Sequence, residues 1–459
     1  MPASQSGSPS GGDPAALPAS TDEPLETLSR GGRWLVLFAA FSGWMFAGWE
    51  MSLLPLAARS ATIGMVREQV ASGAAEPLAP EQLDDLSAEW FAKYIAAFLF
   101  GAALGGWLLG VYGDRAGRVK AMTVSVLWYS LLTAASYFVS TPAQLAAMRF
   151  LACMGIGGMW PAGVALVSEA WPDVSRPTLA GLIGASANVG IALLGVVVER
   201  FDQWFGLPLT PDSWRWIMLL GGLPALLGVV CLWVPESPRW LREQRRQRDR
   251  ATPPPSQLKE IFRPPLLSRT LAGIAIGTIP LLGAWGAQKW IVPWADKVGA
   301  EIGQLSLKAN VQFWWAVGAT IGSLCGGWLA TLLGRRTTYF LVSLGALLLS
   351  GVIFQHTTPE PTLNFMGLVF LLGLITTVYF GWLPLFLPEL FPTRVRATGA
   401  GVSFNSGRII SGAVVLASVH FMPMLGGDYA KIGSAARWVY AAGMLVILAV
   451  PPPLKSIED

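Results

Sequence analysis

Two stretches decide the fold: FGAALGGWLLGVYGDR, residues 100–115, and IGSLCGGWLATLLGRR, residues 321–336. Each is an apolar run that ends in a turn glycine and basic residues. Gly101, Gly105, Gly106, Trp107 and Gly113 align with Gly322, Gly326, Gly327, Trp328 and Gly334. A second pair keeps nearly the same register. EAWPDVSRPTLAG, residues 169–181, aligns with ELFPTRVRATGAG, residues 389–401, so Glu169, Pro172, Arg176, Thr178 and Gly181 meet Glu389, Pro392, Arg396, Thr398 and Gly401. Trp216 after Arg215 meets Trp438 after Arg437. The shift, roughly 220 residues, is close to half the chain, which marks an internal duplication. Glycine-rich apolar helices resemble one another in general, but here charged and proline positions repeat as well.

The repeats lie in a chain that is 53% hydrophobic and only 13% charged, with a mean hydropathy of +0.51. Soluble domains are nearer a quarter charged, so lipid is the expected solvent. A span needs about 20 mostly apolar residues. Such windows fall at 34–56, 91–112, 120–139, 143–169, 177–198, 215–234, 268–294, 308–333, 337–356, 363–388, 396–420 and 435–451. The expected fold is an all-α polytopic membrane protein of about twelve transmembrane helices. Six spans per half give both copies one orientation, so two six-helix bundles are related by a pseudo-two-fold axis along the membrane normal, with a solute site near the midplane between them.

The expected division is a disordered cytoplasmic tail over 1–30, an N-terminal bundle over 31–234, a cytoplasmic linker over 235–267, a C-terminal bundle over 268–452 and a short cytoplasmic tail over 453–459. Residues 57–90 read as a long, polar, partly helical outer loop. Arg30, Arg33, Arg115, Arg118, Lys120, Arg176, the run from Arg239 to Arg269, Arg335, Arg336, Arg394 and Arg396 fall on the side of the N-terminus. Fewer basic residues fall opposite, so both termini are expected in the cytoplasm of a multi-pass plasma or inner membrane protein. The net charge of +4 is thus read as topology, and no nucleic-acid partner is expected.

Three cysteines, Cys153, Cys231 and Cys325, lie inside apolar runs, and no CxxC or Cys/His spacing occurs. No disulfide, metal site or cofactor is expected. Only two histidines are present, far apart, which argues against an enzyme. The G-x-x-x-x-G-K-[ST] loop is absent, so ATP does not drive this chain alone. A nutrient sensor on the same scaffold would usually add a long tail.

The motifs carry a family resemblance. GVYGDRAGRVK, residues 110–120, resembles the loop signature of the major facilitator superfamily. PESPRWL, residues 235–241, looks like the close of the first half in its sugar-porter-like members. RFLACMGIGGMWPAGVALVSE, residues 149–169, is similar to their fourth span. PELFPTRVRATGAGVSFNSGR, residues 388–408, resembles the eleventh-span region of the metabolite:proton symporters. The resemblance covers about residues 34–451. It implies a monomeric secondary transporter that works by alternating access, with a small-molecule substrate, a proton or sodium as coupling ion, and the lipid bilayer as surroundings. GAWGAQKWIVPW, residues 283–294, lacks the paired glutamines of the sugar porters, and the close VPPPLKSIED lacks their PETKG. A carboxylate-bearing metabolite is therefore favoured over a hexose.

Ionisable residues inside a membrane are costly and usually face a cavity. Glu50 and Arg149 are the candidate proton-coupling pair. A buried carboxyl favours its neutral form and a nearby arginine its charged form, so such a group can take up and release a proton as its surroundings alternate. The alternative reading is a static pair that joins two helices. Arg408 and Lys289 bias the cavity positive, and an arginine at midplane suits a carboxylate by bidentate bonding. Snorkelling is the alternative for Lys289. Asn188 and Arg408 are repeat mates, and Gln288, Asn310, Gln312, Asn405 and Trp382 complete the candidate substrate set. Asp114, Arg115 and Arg118, with Glu169, Arg176, Glu389 and Arg396, form candidate charge sets for a cytoplasmic gate. Asp114 also suits the N-terminus of the third span. Each Glu is expected to pair with the Arg seven residues on, within a half or across.

Overall fold

The structure, a computed structural model, describes residues 28–171, 174, 176–205, 213–249, 257–392 and 395–452. The two expected tails therefore lie largely outside the described residues. Twelve helices are long and apolar enough to cross a membrane, and the described residues contain no strand. They are α1 (Arg30–Ala71), α2 (Pro80–Ala116), α3 (Arg118–Phe138), α4 (Pro142–Ala170), α5 (Arg176–Glu199), α6 (Trp214–Trp233), α7 (Leu267–Glu301), α8 (Leu307–Leu332), α9 (Arg335–His356), α10 (Leu363–Glu389), α11 (Arg396–Ser418) and α12 (Tyr429–Ala449). A shorter helix, Pro238–Asp249, lies in the connection between α6 and α7. Twelve antiparallel crossings bring the starts of α1 and α3 and the ends of α10 and α12 to one end, called proximal here. The α1–α2 and α7–α8 connections lie at the other, distal end.

The expected 57–90 loop is corrected. Helix α1 continues through Ala71 and α2 begins at Pro80. Residues 57–66 contain no proline and are almost wholly buried, so packing sustains the helix through them despite Gly64. Proline at the first turn of α2 gives up an N–H that would have no partner there, and the Ala79 N–H donates to Gln82 Oε1 at 2.9 Å.

The glycine repeats do one physical job. A Cβ at Gly105 would sit 1.9 Å from the Met154 carbonyl oxygen, and one at Gly157 2.1 Å from that of Ala102. Helices α2 and α4 are thus in backbone contact. In the second half, Gly318 and Gly373 play the same part between α8 and α10, each 2.0 Å from a facing carbonyl. Small residues allow this approach where lipid gives no hydrophobic drive.

The halves meet along two equivalent seams, α2 against α11 and α5 against α8. Helix α7 is not continuous. It passes through a π turn at Gly283–Ala287 and a 3₁₀ turn at Gln288–Trp290 before resuming at Ile291. Pro280 removes one backbone donor and two glycines follow, which accounts for the break. π turns are common at functional sites.

Candidate functional site

The seams carry a matched pair of hydrogen bonds. Asn188 of α5 donates to Ala319 O at 3.2 Å and Ser323 Oγ at 3.0 Å. Its repeat mate Arg408, on α11, donates from Nη1 to Ala102 O at 3.3 Å and to Asn405 Oδ1 at 3.2 Å. Ala102 and Ser323 occupy equivalent positions of the duplication. Arg408, Asn405 and Asn188 therefore hold the halves together at mid-depth, and the Arg408 guanidinium also lies 4.8 Å from the Phe404 ring centroid.

The break in α7 carries a different kind of site. Lys289 is buried, 3% exposed, with its ammonium 4.0 Å from the Trp315 ring centroid and 5.5 Å from that of Trp285. It does not snorkel. Among the described residues it makes no hydrogen bond or ion pair. Gln312 is fully buried, and neither its amide oxygen nor its nitrogen has a partner among the described residues. Both line a narrow packing gap, too tight in this state to hold a water molecule, with Gln288, Ile291, Val292 and Trp315. Buried polar atoms in native proteins are overwhelmingly hydrogen-bonded, so an unpaired ammonium beside an unpaired amide is a place for a ligand. Gln288, by contrast, is engaged: its oxygen accepts from Trp315 Nε1 and Thr376 Oγ1, each at 2.9 Å, and its nitrogen donates to Tyr440 at 2.5 Å. It braces the wall of this gap.

Two other substrate candidates are not brought here. With its NH₂ turned toward Glu199, Asn310 donates to both carboxylate oxygens at 3.3 and 3.1 Å, joining α8 to α5 at the distal end. Trp382 is buried near the proximal end, where Nε1 donates to Arg335 O at 2.9 Å and the ring stacks on Phe386 at 4.5 Å. Both are engaged in packing and helix ties.

Glu50 is completely buried, and neither carboxylate oxygen has a hydrogen-bond partner among the described residues. It points toward α6 and α3: a Cβ at Gly221 would lie 3.0 Å from Glu50 Oε1 and 2.5 Å from Thr133 Cγ2. Arg149 lies alongside, but the static carboxylate–guanidinium pair is corrected. Its Nη atoms donate to the backbone oxygens of Glu50 and Met51 at 3.0 and 3.3 Å.

At the proximal end, Asp114 pairs with Arg118 one turn on. The expected cap of α3 is supplied by Glu236 instead, whose two oxygens accept the Arg118 and Val119 N–H groups at 3.1 Å each. Trp240 Nε1 donates to Asp114 O at 2.9 Å, so the loop signature and PESPRWL form one assembly. Arg115 lies exposed at the end of α2. In the second half Arg335 stands where Asp114 stands in the first and binds Glu389 through two bonds, at 3.0 and 3.3 Å. The expected Glu389–Arg396 pair is corrected, since Arg396 Nε reaches Phe391 O at 3.4 Å. The Glu169 partner, Arg176, has a side chain outside the described residues.

The distal end is closed by contacts that sequence reasoning missed. Asp84 Oδ1 accepts from Arg59 of its own half at 2.9 Å, and Oδ2 from Lys297 of the other half at 2.8 Å. Asp296 and Lys308 form a buried pair at 2.8 Å, and Lys308 also reaches Ser60 Oγ across the interface at 3.4 Å. Ser87 and Tyr429 hydroxyls are 2.8 Å apart, and Phe91 packs edge-on against Trp290 at 4.9 Å. The signal was available in IVPWADKVG, residues 291–299, an acid within an apolar run.

Two pseudo-symmetric six-helix bundles, buried polar side chains at a broken helix, and a cross-half charge cluster at the distal end are the architecture of a membrane transporter rather than an enzyme. The family comparison agrees: the model for the Major Facilitator Superfamily matches residues 33–416, and the chain belongs to that superfamily. Among curated relatives, it is 26% identical over 337 residues to the cis,cis-muconate transport protein of Acinetobacter baylyi, covering 72% of this chain and 76% of that one. It is 24% identical over 430 residues to the gallate transporter of Pseudomonas putida, covering 87% and 86%. In fold it is similar to the xylose transporter XylE from E. coli, with a TM-score of 0.65, 16% identity, and coverage of 93% and 99%.

Proposed function

We propose that this protein is a proton-coupled symporter that imports a carboxylate-bearing organic acid by alternating access. The observation that carries the reading is Lys289: a buried ammonium between two indole rings, lining the same narrow gap as the unpaired Gln312 amide, a gap that must widen to admit a solute. An unpaired buried cation is expensive, and a substrate carboxylate supplies the missing partner. Gln312 donates its N–H to the same group, while the Trp285 and Trp315 faces suit an unsaturated or aromatic carbon skeleton. The relatives named for muconate and gallate transport support this class. Arg408 adds a second positive charge at the seam.

Glu50 carries the coupling proton in this reading, because it is a buried acid with no partner for its carboxylate oxygens. The halves are the bundles 31–234 and 268–452, joined by 235–267. The excess of Lys and Arg at the proximal end supports a cytoplasmic position for that end, and in this reading the distal contacts belong to an inward-facing state. The proximal sets Asp114, Arg115 and Arg118, Glu169 with Arg176, and Glu389 with Arg335 and Arg396 then latch the cytoplasmic side in the opposite state.

The test is uptake into proteoliposomes with an acid-outside pH gradient, using a panel of aromatic and unsaturated carboxylates against neutral sugars. Carboxylates are expected to accumulate and to compete with one another, and Lys289→Gln to lose both. Accumulation of neutral sugars with no competition by any carboxylate overturns the assignment.

A further inference from the structure

Resting on that reading, a question of distance arises: Glu50 cannot touch a solute at the α7 break, because its carboxyl points away from the interface, toward Gly221 and Thr133. Coupling between proton and substrate must therefore pass through other side chains. We propose that Phe98 is the positioning residue that transmits it, through a series of stacked cations and rings that crosses from one half to the other.

The series is continuous. Arg149, bonded to the backbone at Glu50 and Met51, has its guanidinium carbon 5.4 Å from the Phe98 ring centroid. Phe98, on α2 and 3% exposed, meets Trp285 of the π turn in α7 with centroids 4.3 Å apart and planes at 54°. Trp285 in turn lies 5.5 Å from the Lys289 ammonium. The order is guanidinium, ring, ring, ammonium, and the step from first half to second is the Phe98–Trp285 contact. One helical turn along α2 from Phe98, the Ala102 carbonyl accepts from Arg408.

Each link depends on the aromatic quadrupole, whose negative face attracts a cation and whose edge–face geometry orients a neighbouring ring. A charged Glu50 draws Arg149 toward the carboxylate and off the Phe98 face. A neutral Glu50 leaves the guanidinium to the ring. Phe98 thus has two environments, and Trp285, whose ring lies 5.5 Å from the Lys289 ammonium, packs against it in either. Groups around the pair from the neighbouring helices are Tyr129 and Thr133 of α3, Cys153 of α4 and Cys231 of α6, with Arg408 of α11 beside Cys153. Within this set Arg149 is the charged group that contacts both the Glu50 backbone and an interface ring.

The experiment compares Phe98→Leu, Phe98→Tyr and Glu50→Gln in proteoliposomes by two readouts, pH-gradient-driven accumulation and counterflow exchange of a labelled carboxylate. Leu keeps the apolar bulk and removes the ring; Tyr keeps the ring. Phe98→Leu is expected to lower accumulation about thirtyfold, the scale of one desolvated cation–π contact, to leave exchange largely intact, and to be rescued by Phe98→Tyr. Wild-type accumulation in Phe98→Leu while Glu50→Gln has lost it overturns the Phe98 inference and leaves the proposed function standing. Wild-type accumulation in Glu50→Gln overturns the proton reading beneath it. Loss of exchange in both Phe98 variants shows a packing role and also overturns the inference. Phe98→Met, a second variant without a ring, is expected to behave as Phe98→Leu does, so the test survives poor folding of the leucine variant.

Discussion

Replacing Asp84 by Asn should shift the protein toward a state open at its distal end. Asp84 binds two cations, and only one bond matters for this equilibrium. Arg59 belongs to the same half, so its bond to Asp84 persists in both states and cancels. Lys297 belongs to the other half and must separate from Asp84 when the distal end opens. Its side chain is 34% exposed and that of Asp84 17%, so water and salt screen the pair, and it contributes about 1 kcal/mol. The asparagine NH₂ group facing the ammonium adds a little more. An expected total of about 1–2 kcal/mol changes the ratio of states by roughly 5–30-fold. Spin labels at Arg67 and Leu363, exposed on opposite halves at the distal end, report the change as a population of longer distances. Lys297→Met should produce the same shift, and the double variant no more than either alone, because the two residues share one interaction. Raising ionic strength should move the wild type in the same direction. Unchanged distances in Asp84→Asn, or additive effects in the double variant, would refute the gate.

Two further outcomes test the packing and the proximal assembly. Gly105→Ala puts a methyl group 1.9 Å from the Met154 carbonyl and should cost about 1–3 kcal/mol, read as a lower melting temperature in detergent, whereas Gly401→Ala, with nothing within 4 Å, should melt like the wild type. Glu236→Ala removes the acceptor for the Arg118 and Val119 N–H groups and should cost about 0.5–2 kcal/mol, seen as faster hydrogen exchange at those two amides.

Much of the architecture was legible because a membrane imposes long apolar runs and because a duplicated chain repeats its punctuation. Gly113 with Asp114 and Gly334 with Arg335 mark the same turn twice, and Pro172 with Pro392 mark another. The site was legible by residue type and less so by partner. Lys289, Gln312, Glu50 and Arg149 are all buried, as polar residues in apolar runs suggest. What the pattern of letters could not show is direction. Arg149 binds backbone carbonyls, Glu389 chooses Arg335 over Arg396, and Asn310 reaches Glu199, because those choices depend on helix rotation and tilt. The α7 break was hidden because a π turn changes the phase of side chains without changing their polarity. The distal cluster escaped notice because Asp84, Asp296, Lys297 and Lys308 come from separate stretches and resemble loop charges until α2, α7 and α8 are folded together.

The paired bonds of Asn188 and Arg408 sit at equal places on two sides of the dyad. When two bodies rock about an axle, points near it barely travel, while points at the rim travel far. These two bonds act as bearings and the Asp84–Lys297 contact as a rim catch, so the motion that admits a solute needs to release only the catch.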